Sequence, residues 1–422
     1  MNPLDDLKWR DSIAQTTDRD ALSAELEKGA ISLYLGFDPT APSLHIGNLV
    51  ALVVLKRFQL AGHRPIPLVG GATGLVGDPS GRNQERTLNE LDVVAAWVER
   101  IKGQLSGFLE FETGENKAVM ANNLDWTASL SAIHFLRDVG KHFSVNQMLA
   151  RDSVASRLES GGISYTEFSY QVLQAYDFLE LYRRFGCTLQ IGGSDQWGNI
   201  VAGVDLIRRI EGKSAHALTI PLLTKADGSK FGKTASGSIW LDSTMTSPYA
   251  FFQFFLNSDD RDVVALLKTF SFKSHEELVT LFEEHEKNPG SRAAHRALAM
   301  EVTGYIHGVD TAKKVEEAAR ALFGQSEIRS LDRDTLLSAI AELPQVEVDS
   351  GTEITWVDAM AASSILDSKS AARRIVKEGG AYLNNEKVAD EAAMITAADF
   401  LHGEVALLRK GKRDLVAVVK KS

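Results

Sequence analysis

Cysteine is nearly absent from the sequence, with Cys187 as the single instance in 422 residues. An internal disulfide and a zinc site built from several cysteines are therefore excluded. The apolar neighbours Leu189 and Ile191 predict a strand. We therefore interpret Cys187 as a buried, inert thiol and not as a nucleophile.

Long hydrophobic runs are absent as well. The run at 48–55 is much shorter than the roughly 18 apolar residues that span a bilayer. The first residues are polar and acidic, unlike those of a secretory signal. We therefore expect a cytoplasmic protein that does not bind a membrane.

The sequence also lacks an excess of positive charge. Its formal net charge of −10 argues against nonspecific coating of nucleic acids. Residues 363–422, however, contain 11 lysines and arginines against 8 acidic residues. Such a basic tail can hold RNA locally, because only the contact surface has to attract phosphates.

What the first half of the chain does contain is an alternation of short apolar runs and amphipathic segments. This alternation predicts an α/β fold with a parallel sheet covered by helices on both faces. The predicted strands are 31–37, 65–70, 118–121, 189–192 and 218–223, and the predicted helices are 46–61, 91–109 and 201–211.

The length of the chain exceeds one hydrophobic core, so we expect several domains. We place the α/β domain at 1–246, with a helical insertion at about 125–187. An α-helical domain is predicted at 247–323 and a polar linker at 324–352. The last part, 353–422, predicts two short helices followed by strands.

Ligands of such sheets bind beyond the carboxyl ends of the strands. Three separate polar or glycine-rich segments, at 34–38, 70–74 and 192–195, fall at those ends. They therefore indicate one common cleft.

Two further segments are typical of polyphosphate chemistry. His45 and Asn48 open a predicted helix, whose free N–H groups and dipole favour an anion. Lys230 and Lys233 lie in a glycine-rich loop and can clasp a leaving pyrophosphate. In isolation, the first segment is better explained by a capping turn and the second by a solvated basic turn.

Tyr170, Gln174 and Asp177 are spaced to share one face of a helix. Buried together, a phenol, an amide and a carboxylate need partners, and a ligand with a cationic end and a hydroxyl end supplies them. The alternative is an ordinary amphipathic helix with this face in water.

A turn at 77–82 carries Asp78, which can bind an ammonium group, and it precedes Arg82 and Arg86, which can meet phosphates. The alternative is a turn aspartate with exposed arginines. The residues at another strand end that can hold ribose hydroxyls are Gly193, Asp195 and Gln196.

With these motifs in order along nearly its whole length, the chain resembles the bacterial tyrosyl-tRNA synthetases, which are class I enzymes. The matching segments are 34–40, 45–48, 70–79, 141–146, 166–170, 190–197 and 230–234. The resemblance implies a Rossmann-like catalytic domain with a helical insertion that forms a homodimer. It also implies an α-helical domain and a C-terminal S4-like domain that bind tRNA.

The resemblance implies that the chain makes tyrosyl-adenylate from L-tyrosine and ATP and then charges tRNA(Tyr), without a metal site or a tightly bound cofactor, and with Mg²⁺ accompanying ATP. The implied tyrosine-binding residues are Tyr34, Asp78, Tyr170, Gln174, Asp177 and Gln196. The implied residues around ATP and the adenylate are Gly36, Asp38, Gly47, Gly193, Asp195, Gln196 and Lys233. Those implied to act on the pyrophosphate are Thr40, His45, Asn48, Arg82, Arg86, Lys230, Lys233 and Thr234.

Three positions depart from the family pattern. Asn48 occupies a place where histidine is common, and its amide can still donate a hydrogen bond. Leu35 occupies a place that is often cysteine and cannot bond a ribose hydroxyl. Arg82 occupies a place often filled by lysine, which keeps the charge but changes its geometry.

Three other interpretations explain parts of the chain. A tryptophanyl enzyme of the same class has no use for two phenol partners. A smaller nucleotidylyltransferase shares the first signature but leaves about 170 C-terminal residues unexplained. The third reading is an RNA-binding or structural protein with a degenerate site, and the intact Asp78, Asp177, Lys230 and Lys233 argue against it.

Overall fold

The computed structural model describes residues 2–421 apart from 81–87, 152–153, 156, 159–161, 235–236, 342, 350, 352 and 412–413. The chain forms two compact units. The first contains residues 1–245 and 259–294, and the second contains 246–258 and 295–422. Within the described parts of the chain, no helix combines the length and the apolar character needed to cross a membrane.

The first unit is built on a six-stranded sheet, which confirms the predicted α/β class. Its strands are β1 (Gln15–Thr16), β2 (Ser32–Phe37), β3 (Arg64–Val69), β4 (Ala121–Asn122), β5 (Cys187–Gly193) and β6 (His216–Ile220). The spatial order is β1-β6-β5-β2-β3-β4. Strands β2 to β6 are parallel, and the short β1, which the sequence did not predict, pairs antiparallel with β6 at the edge.

The connectivity places a cleft at the centre of this sheet. From β2 the chain builds β3 and β4 on one side and then returns to build β5 and β6 on the other. The crevice of an open α/β sheet lies where the strand order reverses in this way, outside the carboxyl ends of the strands. Strands β2 and β5 lie on either side of that point, so the segments that follow them face the crevice.

Helices cover the sheet, and two of them line the crevice. The signature helix (Ile46–Leu60) follows β2, and the pocket helix (Tyr165–Phe185) precedes β5. The other described α-helices of this unit are Pro3–Trp9, Arg19–Lys28, Thr73–Val76, Leu91–Phe108, Leu124–Thr127, Ala132–His134, Val145–Leu149, Trp197–Glu211, Val263–Phe270 and His275–Lys287.

The pocket helix has sequence signals at both ends. The Ser164 hydroxyl accepts a hydrogen bond from the N–H of Glu167, as N-cap serines do. Gly186 ends the helix in the left-handed region, with φ of 62°, a conformation that glycine adopts without strain. The buried face packs Phe178 and Leu181 into the main core of this unit.

The second unit combines helices with a small sheet. Its α-helices are Pro248–Leu256, Ala293–His307 (shared with the first unit at its start), Val309–Leu322, Arg333–Ile340, Trp356–Ala362 and Lys369–Lys377. Five strands, β9 (Gln345–Val348), β11 (Ala381–Leu383), β12 (Glu386–Lys387), β14 (Val405–Lys410) and β15 (Asp414–Lys420), form a sheet in the order β12-β11-β14-β15-β9. A two-stranded pair joins β10 (Ile354–Thr355) and β13 (Met394–Ile395).

The division of the chain differs from the expected one at two places. The expected α-helical domain at 247–323 is shared between the units, because helices Val263–Phe270 and His275–Lys287 belong to the first. The expected linker at 324–352 contains helix Arg333–Ile340 and strand β9, which pairs parallel with β15. A four-residue strand whose partner lies about 70 residues away leaves little local signal.

Candidate active site

A cavity of about 1000 Å³ opens at the carboxyl ends of the central strands. Most residues predicted for the site line it, namely Tyr34, Gly36, Asp38, Thr40, His45, Gly47, Asn48, Asp78, Tyr170, Gln174, Asp177, Gly193, Asp195, Gln196 and Lys230. Arg82 and Arg86 lie outside the described residues. The backbone of Lys233 and Thr234 forms strand β7, paired with β8 (Gly237–Ser238), while their side chains lie outside the description.

Tyr34 and Asp177 form the deep end of the cavity. Tyr34 is 1% exposed, and its ring contacts Phe178 with centroids 5.2 Å apart. Burial, and next the neighbouring Asp177, holds the pKa of Tyr34 well above its usual value, so the hydroxyl stays protonated. Asp177 itself is 3% exposed. This end of the cavity therefore offers one phenol and one carboxyl group, both shielded from water.

Two side chains that the sequence analysis did not single out hold Asp177. Asn123 Nδ2 donates to Oδ2 at 2.9 Å, and Trp126 Nε1 donates to Oδ1 at 2.8 Å. Burial raises the pKa of Asp177 to about 7, against the lowering effect of these two hydrogen bonds. Asn123 follows β4 at a strand end, and that position was the one signal available for it.

A hydrogen-bond network crosses the middle of the cavity. Tyr170 Oη donates to Asp38 Oδ2 at 2.7 Å, and Thr73 Oγ1 donates to Asp38 Oδ1 at 2.7 Å. Asn123 also donates to Thr73 Oγ1, at 2.9 Å. The network therefore joins Asp38 to Asp177 and fixes both carboxyl groups before a ligand enters.

Asp78 lies at the other end of this polar lining. Its Oδ1 accepts from the Ser80 N–H at 2.9 Å, and its Oδ2 accepts from Gln196 Nε2 at 2.7 Å. The Oε1 atom of Gln196 in turn accepts from Asn199 Nδ2 at 3.1 Å. The structure thus brings Asp78 and Gln196 into direct contact, which their separation in sequence does not reveal.

Three buried polar atoms of cavity residues have no hydrogen-bond partner among the described residues. They are Tyr34 Oη, Gln174 Oε1 and Gln190 Oε1. A buried polar group without a partner costs about 1–3 kcal/mol. Gln190 was not predicted as a site residue, although an amide in the middle of the apolar strand β5 is itself a signal. The cavity therefore suits a ligand that supplies polar partners at these points.

The signature helix begins with a capping box. His45 is the N-cap, its Nδ1 accepts from the Asn48 N–H at 3.3 Å, and Asn48 Oδ1 accepts from the His45 N–H at 3.0 Å. Because Nδ1 accepts, the ring proton is on Nε2. Asn48 therefore caps the helix with its oxygen and keeps its amide N–H₂ as a donor. The capping interpretation and the functional one are compatible.

The loop that carries the second signature touches the first one. Gly232 has φ of +87°, and a Cβ there would lie 2.1 Å from Ile46 Cγ2. Two backbone hydrogen bonds tie both segments to Ile239, from Ile46 N to Ile239 O at 3.0 Å and from Ile239 N to Gly232 O at 3.2 Å. Only glycine fits this approach, and it places Lys230 on the rim of the same cavity as His45.

Asp195 and Gly193 close the side of the cavity formed by β5. A Cβ on Gly193 would lie 2.6 Å from Asp195 Oδ1, so a larger residue there would displace the Asp195 side chain. Burial and then Asp78 raise the pKa of Asp195, and Lys230 lowers it by a smaller amount. An ammonium group of the loop is therefore close enough to act on a carboxyl group across the cavity.

Family models match most of the chain. The model of class I tRNA synthetases for tryptophan and tyrosine matches residues 26–324. The model of the C-terminal domain of tyrosine–tRNA ligases matches residues 336–418.

Comparisons with individual proteins point to the same family as these family models. The tyrosine–tRNA ligase of Streptomyces avermitilis is 58% identical over 417 residues, 98% of each chain, and that of Thermobifida fusca is 56% identical over 428 residues, 99% of each chain. A truncated mitochondrial tyrosyl-tRNA synthetase of Aspergillus nidulans, 33% identical, superposes with a TM-score of 0.70 over 76% of this chain and 94% of that chain. A tryptophanyl-tRNA synthetase of Encephalitozoon cuniculi shares the fold alone, at 15% identity and a TM-score of 0.54. With a cavity that pairs a buried phenol and a carboxyl group, the chain belongs to the tyrosyl-tRNA synthetases of class I.

Proposed function

We propose that the chain joins L-tyrosine to tRNA(Tyr) in two steps. The tyrosine carboxylate first attacks the α-phosphorus of ATP, which forms tyrosyl-adenylate and releases pyrophosphate. A ribose hydroxyl at the 3′ end of the tRNA then attacks the activated carbonyl carbon and releases AMP. The observation that carries the choice of amino acid is the buried Tyr34 hydroxyl, which lies beside Asp177 and has no hydrogen-bond partner in the part of the chain that the structure describes.

The substrate phenol would complete the deep end of the cavity. It would donate to Asp177 and pair with Tyr34 Oη, which lacks a partner among the described residues. Phenylalanine would leave both groups buried and unsatisfied, so it should be rejected. Indole presents one N–H and no acceptor oxygen, and it does not match this pair.

The opposite end of the polar lining would hold the amino acid backbone. Asp78, Tyr170 and Gln174 offer a carboxylate, a phenol oxygen and an amide oxygen to the ammonium group, with Gln196 near the carboxylate. The buried Gln174 Oε1, for which the described residues provide no donor, supports this assignment. The substrate would then lie between Asp78 and Asp177, with its carboxylate exposed to ATP.

The activation step would rest on positioning and charge. The attacking carboxylate is already ionised, so no general base is required. Gly36, Asp38, Gly47, Gly193 and Asp195 would surround the nucleotide, which enters as its Mg²⁺ complex. The groups that would stabilise the pyrophosphate are Thr40, His45 through Nε2–H, Asn48, Lys230, Lys233 and Thr234, with Arg82 and Arg86.

The rest of the chain would provide assembly and RNA binding. Exposed apolar side chains in the helical insertion (Ile133, Leu136, Val145 and Tyr165) support a homodimer through that region. The basic balance of 363–422 and the match to a ligase C-terminal domain support an S4-like, tRNA-binding role for the second unit. A protein with these partners would work in the cytoplasm.

Amino acid-dependent exchange of pyrophosphate into ATP tests the substrate. Tyrosine should drive exchange, whereas phenylalanine and tryptophan should give only background. Charging of tRNA with labelled tyrosine then tests the second step. Exchange with tryptophan and not with tyrosine would refute the proposal.

A further inference from the structure

A set of contacts joins the signature loop (224–234) to a later segment of the chain. The loop is a hairpin with a tight turn. Gly228 N–H donates to Lys225 O at 2.9 Å, and Lys225 N–H donates to Ser229 O at 2.8 Å. The segment that meets it, 259–271, contains helix Val263–Phe270 and belongs to the same unit.

Asp262 makes the central contact. It stands at the N-cap of helix Val263–Phe270, where an aspartate normally bonds an N–H of its own helix, yet its side chain makes no such bond. Its Oδ1 instead accepts from the Ala226 N–H at 2.7 Å. Asp262 is 8% exposed. The buried carboxylate of Asp262 thus bonds the loop and not its own helix.

An aromatic contact and a nearby charge reinforce the hydrogen bond between Asp262 and Ala226. The rings of Phe231 and Phe270 lie 6.3 Å apart between centroids, and Phe270 is fully buried. At the tip of the loop, hydrogen bonds from Ser229 contribute most to lowering the pKa of Asp227, and the positive charges of Lys225 and then Arg261 add to this effect. The segment therefore meets the loop at its turn and beside Lys230, and the charge of Arg261 acts on the tip.

The segment is itself fixed to the catalytic core. Arg57, from the last turn of the signature helix, donates to Ser271 O at 2.6 Å, and Arg10 donates to Ser271 O at 3.1 Å and to Lys273 O at 2.9 Å. Both guanidinium groups pair with Asp6. The helix that presents His45 at its start thus anchors, at its other end, the segment that meets the loop.

We propose that Asp262 is a positioning residue for the activation step: through the Ala226 N–H and together with Phe270, it holds the signature loop where Lys230 faces the cavity. The inference rests on the proposed function of the loop in expelling pyrophosphate. Asp262 touches no substrate and acts only through the loop. Its loss should therefore slow activation without weakening tyrosine binding.

The first test is Asp262→Ala in the full chain. The rate of tyrosyl-adenylate formation should fall about tenfold, the effect of one hydrogen bond to an ionised acceptor. The Kd for tyrosine, from equilibrium dialysis, should stay within about twofold. Limited trypsin digestion should cut faster after Lys225 or Lys230 than in the wild type.

Two substitutions distinguish the loss of the hydrogen bond between Asp262 and Ala226 from a general loss of stability in the segment. Asp262→Asn keeps an acceptor oxygen and should restore most of the rate. Ser274→Ala removes the capping box of the next helix, His275–Lys287, without touching the loop. It should leave both the rate and the trypsin cleavage at wild-type values.

Ala226→Pro removes the other partner of this hydrogen bond, the backbone N–H of the loop. Ala226 is the second residue of the turn closed by Lys225 and Gly228, a position that proline favours. The substitution therefore deletes the N–H in an exposed turn and spares the core. It should reproduce the loss seen in Asp262→Ala, and the double variant should lose no more than either single one.

The outcomes separate this inference from the function on which it rests. A wild-type chain without tyrosine-dependent exchange would refute the proposed function. An active wild type with unchanged rates in Asp262→Ala and Ala226→Pro would refute the positioning role alone. Additive losses in the double variant, or an equal loss in Ser274→Ala, would also refute it.

Discussion

We expect the Tyr34 hydroxyl to contribute to tyrosine binding but not to the stability of the fold. In Tyr34→Phe, the core loses a buried hydroxyl that has no partner among the described residues, so thermal stability should be unchanged or slightly higher. The Kd for tyrosine should rise about tenfold, because one hydrogen bond to the substrate is lost. Equilibrium dialysis and a thermal melt measure the two effects on the same sample.

Tyr176→Phe is the matched control, because Tyr176 lies on the same pocket helix but does not line the cavity. Burial, and next the neighbouring Glu180, raise the pKa of its hydroxyl to about 12. This substitution should lower thermal stability and leave the Kd for tyrosine unaltered. A fall in stability in Tyr34→Phe as large as in the control would contradict the assignment.

Asp177 should make tyrosine binding depend on pH. Its pKa is raised to about 7 by burial, so the carboxyl group is mostly neutral at pH 6 and mostly ionised at pH 8. An ionised carboxylate accepts a hydrogen bond from the substrate phenol more strongly than a neutral one. The affinity for tyrosine should therefore rise from pH 6 to pH 8 and then level off.

Equilibrium dialysis across this range checks the sign. Asp177→Asn has no titrating group at this position and should bind tyrosine more weakly, with a flat profile over the same range. If the wild-type affinity fell as the pH rose, the neutral acid would be the binding form. The proposed role of the carboxylate as acceptor would then be wrong.

The start of the signature helix should combine a structural role, as a cap, with a chemical role in activation. Asn48→Asp keeps the oxygen that accepts from the His45 N–H, so the capping box and the stability should survive. The substitution replaces an amide donor with a negative charge beside the triphosphate. Adenylate formation should therefore fall at least about a hundredfold, by electrostatic repulsion in a site built for anions.

Asn48→Ala is the complementary variant. It removes the accepting oxygen, and the loss of such a cap costs about 1 kcal/mol. A urea titration and single-turnover kinetics separate the two effects. If Asn48→Asp activated tyrosine as well as the wild type, the side chain would serve the helix alone.

The sequence predicted those elements whose signals are local. The central strands and the signature helix follow from apolar runs and a capping residue, and their bounds agree within a few residues. Strand β9, by contrast, is four residues long and is stabilised by pairing with β15 near the end of the chain. Its pattern alone could not distinguish a strand from a linker.

The same distinction applies to the site. Asp78 and Asp177 stood out because their neighbours and spacing were unusual. Asn123 and Trp126 belong to a short helical turn with no distinctive motif, and their importance comes from hydrogen bonds to Asp177, more than 50 residues away. Asn123 and Trp126 reach Asp177 because β4 pairs with β3 in the sheet. The sequence does not show this pairing directly.

At the scale of the whole molecule, the position of a truncation decides what it tests. A cut near Gly351 would leave β9 without β15 and expose the apolar residues Val346 and Val348. A chain that ends at Leu343 removes the five-stranded sheet completely and keeps helix Arg333–Ile340. The truncation breaks the exposed ion pair of Arg333 with Glu404, which contributes little. It also removes the hydrogen bonds that Asn385 makes to Ala321 O and His402 makes to Leu331 O.

This truncated chain should keep tyrosine-dependent pyrophosphate exchange, because every cavity residue lies in the first unit. Charging of tRNA should fall at least about a hundredfold at physiological salt, as basic contacts to phosphates are lost. Arg374→Glu in the full chain reverses one exposed charge on helix Lys369–Lys377 and should raise the KM for tRNA without altering exchange. Undiminished charging by the truncated chain would show that the basic tail is not the RNA contact. Loss of exchange would show instead that the sheet supports the catalytic unit.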